Sequence, residues 1–151
     1  MTITEIPAEA RPAVRLRRRR EIDELDYRRE LRRLTERGYS QREVARWLGI
    51  SQPALSSALR TAARVEMPAT GFSGASPLEI CQRYAAGLIE RAQLVDELTR
   101  WTYARRDRTD GYDSLAVDQE GTWADVEFAA GTGLIEDEVY DEVFQKRMAG
   151  H

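Results

Sequence analysis

The stretch Ser40 to Arg60, SQREVARWLGISQPALSSALR, reads as two short helices joined by one tight turn. Ser40 and Glu43 form a capping box: the hydroxyl accepts from the amide of Glu43 while that carboxylate reaches back to the amide of Ser40, so a helix begins there. Val44, Ala45 and Leu48 recur at helical spacing on one face, and Gly49 supplies the positive φ that ends the helix and turns the chain. Ile50 plugs the turn. Ser51 is a second N-cap, and Pro53 falls in the first turn of the next helix, where a missing amide hydrogen costs nothing. That helix buries Leu55 with Ala58 and Leu59, leaving Gln52, Ser56, Ser57 and Arg60 outward.

Gln41, Ala45, Gly49, Ile50, Ser51, Leu55 and Ser56 match, in order and spacing, the helix-turn-helix pattern of bacterial and phage repressors. A small residue where two helices cross, a glycine in the turn and an apolar plug after it are jointly demanding. The resemblance covers about 21 of the 151 residues. It implies that helix 52 to 62 is a recognition helix lying in the major groove of double-stranded DNA, with its N-terminal residues on base edges. Carried over position by position, it turns Ser51, Gln52, Ser56, Ser57 and Arg60 toward DNA, with Gln41 and Arg42 at the start of the preceding helix completing the set. Gln52 would pair bidentately with adenine, and Arg60 would reach guanine or phosphate. The competing reading of the same residues is a helical hairpin that packs on another protein.

Composition narrows the options. A chain of 151 residues that is 42% hydrophobic holds one ordinary domain or two small ones. One cysteine excludes an internal disulfide and a cysteine-based zinc site, and one histidine, His151, excludes a histidine-centred catalytic or metal cluster. Without a nucleophile and base pair, a phosphate loop or a metal cluster, the expectation is a non-enzyme that needs no cofactor. No apolar run is long enough for a membrane span and no signal peptide is evident, which predicts a cytoplasmic, nucleoid-associated protein.

Charge divides the chain. Met1 to Glu66 carries 15 Arg against 10 Asp plus Glu, a balance of +5, whereas Met67 to His151 comes to −8, which together give the overall −3. A basic half suits phosphates and an acidic half is repelled by them, so the two halves have different tasks.

The expected organisation is all-α: a flexible arm at 1–12, a helix-turn-helix domain at 13–65, a linker at 66–75 and an acidic helical partner or oligomerisation domain at 76–151. The linker, EMPATGFSGA, is rich in Pro, Gly, Ser and Thr. Before the helix-turn-helix, a helix runs from Ala13 to about Arg37 and stops at Gly38. Its Tyr27, Leu31 and Leu34 fall within about 60° of one another and should cover the two-helix core. Val14, Ile22 and Leu25 make a second stripe, which requires either a second surface to bury against or a break near Asp23. The run Arg17, Arg18, Arg19 and Arg20, with Arg15, is expected to clamp phosphates or enter the minor groove; Glu21, Asp23 and Glu24 at helical spacing offer a solvated, ion-paired face instead.

In the acidic half, Ser76, Pro77 and Glu79 open a helix that Gly87 stops, and Arg91 to Tyr103 makes another with Leu94, Val95, Leu98 and Trp101. Cys81 reads as a small core residue. Thr122 and Asp125 then cap a helix ended by Gly131 and Gly133, followed by Glu138 to Arg147 with Val139, Tyr140, Val143 and Phe144. The tetrapeptide GLIE occurs at Gly87 to Glu90 and again at Gly133 to Glu136, and each copy precedes an Asp–Glu pair. A helical hairpin repeated at a period of about 46 residues accounts for this. The hairpins resemble, loosely, short helical modules of some bacterial antitoxins. Between them, Asp107, Asp110, Asp113 and Asp118 depart from the calcium-loop pattern and read as turn residues, while Tyr103, Tyr112 and Trp123 are either packing residues or anchors for a protein partner.

Three functions are compatible with this pattern. One is a sequence-specific transcriptional regulator, most simply a repressor, that binds an inverted repeat as a homodimer. The second is an antitoxin that binds DNA in the same way, covers a protein toxin with its acidic helices and autoregulates its operon. The third is an interaction module with no DNA role.

Overall fold

The computed structural model describes residues 6–104 and 121–150. Among these residues the chain is all-helical, with a 3-10 turn at Ala8–Ala10 and seven α-helices: α1 (Arg11–Glu36), α2 (Gln41–Leu48), α3 (Gln52–Ala62), α4 (Pro77–Ala85), α5 (Arg91–Arg100), α6 (Trp123–Gly131) and α7 (Asp137–Ala149). The chain divides into two compact units, one made of Met1–Arg19 with Pro68–His151 and the other of Arg20–Met67. Thus α1 has no break at Asp23, and the 3-10 turn leads directly into it, so residues 8–12, expected within a loose arm, are helical.

In the smaller unit, Leu31, Val44, Ala45, Leu55 and Ala62 form the core, with Leu34, Ile50, Ala58 and Leu59 against it. Tyr27, expected in this core, is exposed and instead Arg29 is buried. The guanidinium is accommodated because it donates to the carbonyl of Glu66 at 3.0 Å, and Arg32 donates to the carbonyl of Val65 at 2.6 Å. Two α1 arginines therefore hold the chain that leaves α3, satisfying carbonyls beyond the end of that helix.

In the larger unit, α4 packs on α6 and α5 on α7, so equivalent helices of the two hairpins pair. The core holds Ile80, Cys81, Leu94, Val95 and Leu98 from the first hairpin, with Val126, Ala129, Leu134, Ile135, Val139 and Val143 from the second. Burial pushes the Cys81 thiol up to about 12, which removes thiolate chemistry at neutral pH. The repeat extends to individual hydrogen bonds. Glu79 Oε1 accepts the amide of Ala75 at 3.1 Å, and 46 residues on, Asp125 Oδ2 accepts the amide of Gly121 at 3.2 Å. Likewise the amides of Leu88 and Leu134 donate to the carbonyls of Arg83 and Ala129, each at 2.9 Å, across turns where Gly87 and Gly133 take φ of 77° and 80°. Thr122, expected to cap α6, makes no side-chain cap bond; its hydroxyl is buried with no partner among the described residues, and the Asp125 bond to Gly121 organises that terminus instead.

Three corrections concern this unit. Residues 71–75, within the expected linker, are tied down: Glu97 accepts the Ser73 amide, Glu79 the Ala75 amide, and Arg100 donates to the Gly71 carbonyl at 2.9 Å. A Cβ on Gly74 would lie 3.0 Å from the Glu79 carboxylate, so a larger residue there would push the Glu79 side chain by a few tenths of an ångström. The second correction is rotational. Counted from the N-caps Glu90 and Glu136, Leu94 and Leu98 correspond to Tyr140 and Phe144, yet α7 buries Val139 and Val143 and leaves Phe144 exposed. The matching α5 positions are exposed Gln93 and buried Glu97, whose side chains are joined at 2.9 Å. Hence the two Asp–Glu pairs are displaced by one residue and are not equivalent. Third, α5 ends at Arg100, and Trp101 stacks edge-on with Phe72 at 5.0 Å. Tyr103 and Trp123 are packing residues, with the Arg147 guanidinium 4.3 Å and 4.6 Å from their rings. Tyr112, Asp107, Asp110, Asp113 and Asp118 lie outside the described residues.

Candidate nucleic-acid interface

The corner between α2 and α3 is built by local chemistry. Ser40 Oγ accepts the amide of Glu43 at 3.2 Å, starting α2. At its other end Gly49 takes φ 69°, and the Ile50 amide donates to the Ala45 carbonyl at 3.1 Å. This left-handed step brings the chain back over Ala45, which is buried where a larger side chain would hold the helices apart. Ser51 Oγ accepts the amide of Ala54 at 3.2 Å and starts α3.

Only one face of α3 is buried. Leu55 and Ala62 are fully enclosed, with Ala58 and Leu59 partly so. Opposite them lie Pro53, Ser57 and Arg60, which fall within about 60° of one another at roughly 100° per residue, and all three are exposed. Gln52 is exposed on one flank of this row with half-buried Ser56 above it; Ser51 is exposed at the cap. The expected residues Ser51, Gln52, Ser57 and Arg60 thus share one open surface, with half-buried Ser56 between Gln52 and Arg60 and Pro53 at its centre. Pro53 is easily missed in the sequence because its helix-starting role accounts for it. Gln41 and Arg42 are exposed in the first turn of α2.

Charge on this unit differs between the second half of α1 and the segments that follow it. On α1, Arg28 faces Glu24 at 3.6 Å, Arg29 faces Asp26 at 3.6 Å, Arg32 faces Glu36 at 3.1 Å, and Arg33 pairs with Glu30. By contrast, Arg37, Arg42, Arg46, Arg60 and Arg64 are exposed and make no ion pair with any described residue. Arginines without carboxylate partners keep their full attraction for an external anion, whereas paired ones are largely neutralised. Arg37, Arg46 and Arg64 are not among the residues expected at DNA; the sequence does not single them out, since Arg46 follows Glu43 at the same three-residue spacing that pairs Arg33 with Glu30 on α1. Arg20 opens the same unit, while Arg17, Arg18 and Arg19 belong to the other one. Of this run Arg17 is already engaged.

Beside α2, Tyr39 and Trp47 form an edge-on pair with ring centroids 5.4 Å apart, and Trp47 is 53% exposed. Among the described residues no group of three or more His, Cys, Asp or Glu could hold a metal ion, and no helix is long and apolar enough to cross a membrane. No family model, curated protein or solved structure matches the chain.

Proposed function

We propose that this protein is a sequence-specific double-stranded DNA-binding transcriptional regulator, most simply a repressor, that reads the major groove with the outward face of α3 and binds an inverted repeat as a homodimer. The observation that carries this reading is the combination, on one small unit, of a helix buried on one face only and a set of arginines with no carboxylate partner among the described residues. Gln52, Ser57 and Arg60 offer donors and acceptors suited to base edges, while Arg37, Arg42 and Arg46 on the neighbouring segment supply charge for phosphates. Arg17 to Arg20 are additional phosphate-binding residues in this account. The chemistry is binding alone, so it requires no cofactor.

Selection of the purified full-length protein against random-sequence duplexes at two salt concentrations tests the proposal. Enrichment of a two-fold symmetric site supports it, and half-site centres about 34–36 Å apart would report dimer geometry. Recovery of an unenriched pool contradicts it.

A second reading draws on the larger unit. Phe128, Phe144 and Met148 are exposed on helices rich in acids, which favours a protein partner such as a toxin for an antitoxin that autoregulates its operon.

A further inference from the structure

We propose that Pro53 is a specificity-determining residue that packs against the 5-methyl group of a thymine at the centre of the reading surface; this rests on the DNA-reading assignment of α3. Three observations carry it. Pro53 is exposed, it lies between Ser57 and Arg60 around the outward row, and it is the apolar member of that row, whose other side chains are a hydroxyl and a guanidinium; of its exposed neighbours only Ala54, a single methyl, is also apolar. Helix initiation does not require it. The Ser51 hydroxyl already caps α3 through the Ala54 amide at 3.2 Å, and most residues are tolerated behind such a cap. An exposed pyrrolidine ring instead gives rigid apolar surface with no rotamer entropy to lose on binding.

The major groove offers one apolar feature, the thymine methyl, and hydrogen-bonding edges for the rest. Cytosine and deoxyuridine lack that methyl. A ring in the first turn of α3, beside Gln52, therefore selects a thymine adjacent to the base that Gln52 reads. With Gln52 suited to adenine, the half-site is expected to contain consecutive A·T pairs under the helix N-terminus.

The test uses full-length protein and the best duplex from random-pool selection, with each thymine of a half-site replaced in turn by deoxyuridine. At one position, wild-type affinity should fall about fourfold, the value of one methyl-sized apolar group removed from water. Pro53→Ser should bind the two duplexes within a factor of about 1.5 of each other, while Pro53→Val, which keeps apolar surface, should retain the preference. Because the readout is a ratio between two duplexes, a partly unfolded variant does not change it. Specific binding with no deoxyuridine effect at any position, or an effect that survives in Pro53→Ser, overturns this inference and leaves the DNA-reading assignment intact. Absence of any sequence selectivity overturns both.

Discussion

Ser51 Oγ accepts the amide of Ala54 at 3.2 Å, so the helix that presents Gln52, Pro53, Ser57 and Arg60 begins with one of its orphan donors satisfied and its first turn held open to solvent. Removing that acceptor tests how far the reading surface depends on its cap. Ser51→Ala should destabilise the protein by about 1 kcal/mol in urea unfolding, and, under the proposed DNA-reading function, should lower affinity for every DNA sequence to a similar degree, since it blurs the start of the helix without altering the side chains proposed to face the bases.

The turn before it carries a sharper constraint. Gly49 holds φ at 69°, where a Cβ meets no neighbour within 4 Å, so the cost of a side chain there is conformational and not a clash. Gly49→Ala should cost about 1–2 kcal/mol, and Gly49→Asn less, because asparagine tolerates the left-handed region. Equal melting temperatures for wild type and Gly49→Ala would contradict this account of the corner.

Arginine pairing predicts which charges would count in the proposed DNA binding. Replacing Arg42 and Arg46 by Gln should reduce the slope of log affinity against log salt by about 0.9 for each phosphate no longer neutralised, measured by fluorescence anisotropy. Arg28→Gln and Arg33→Gln, whose guanidinium groups already face Glu24 and Glu30, should leave the slope unchanged. A reversed ranking would move the interface to α1.

In the larger unit the rotation of α7 yields a stability contrast. Val143 is fully buried whereas Phe144, the larger residue, is 44% exposed. Val143→Ala should cost about 2 kcal/mol through reduced burial and the cavity left behind, and Phe144→Ala about 1 kcal/mol or less. Thermal denaturation of the two variants distinguishes them.

The α2–α3 corner is legible in the sequence because caps, a left-handed glycine and an apolar plug act within four or five residues, and Ser40, Gly49, Ile50 and Ser51 each do locally what their chemistry requires. The repeat is legible for the same reason, since Glu79 and Asp125 act on backbone amides four residues away. Helix rotation is not, because the rings of Tyr140 and Phe144 offer as much surface to bury as Val139 and Val143, and only packing against the other hairpin decides which row is buried. The burial of Glu97 is half hidden: one carboxylate oxygen accepts from Gln93 four residues back, but the other accepts the Ser73 amide, 24 residues away. At the candidate interface, the exposure of Gln52 and Arg60 follows from their position on the helix. Pro53 is masked by a local role, and Arg37, Arg46 and Arg64 emerge only when the ion pairs of α1 can be told from unpaired charges.

The most direct measurement compares wild type and Gln52→Ala on the selected duplex and on the same duplex with one adenine-containing pair exchanged. If α3 reads bases, wild type should discriminate the two by about 1–3 kcal/mol and Gln52→Ala should lose that preference while its nonspecific affinity stays similar. A uniform loss of affinity on every duplex, with the wild-type preference preserved, would contradict base reading by this helix.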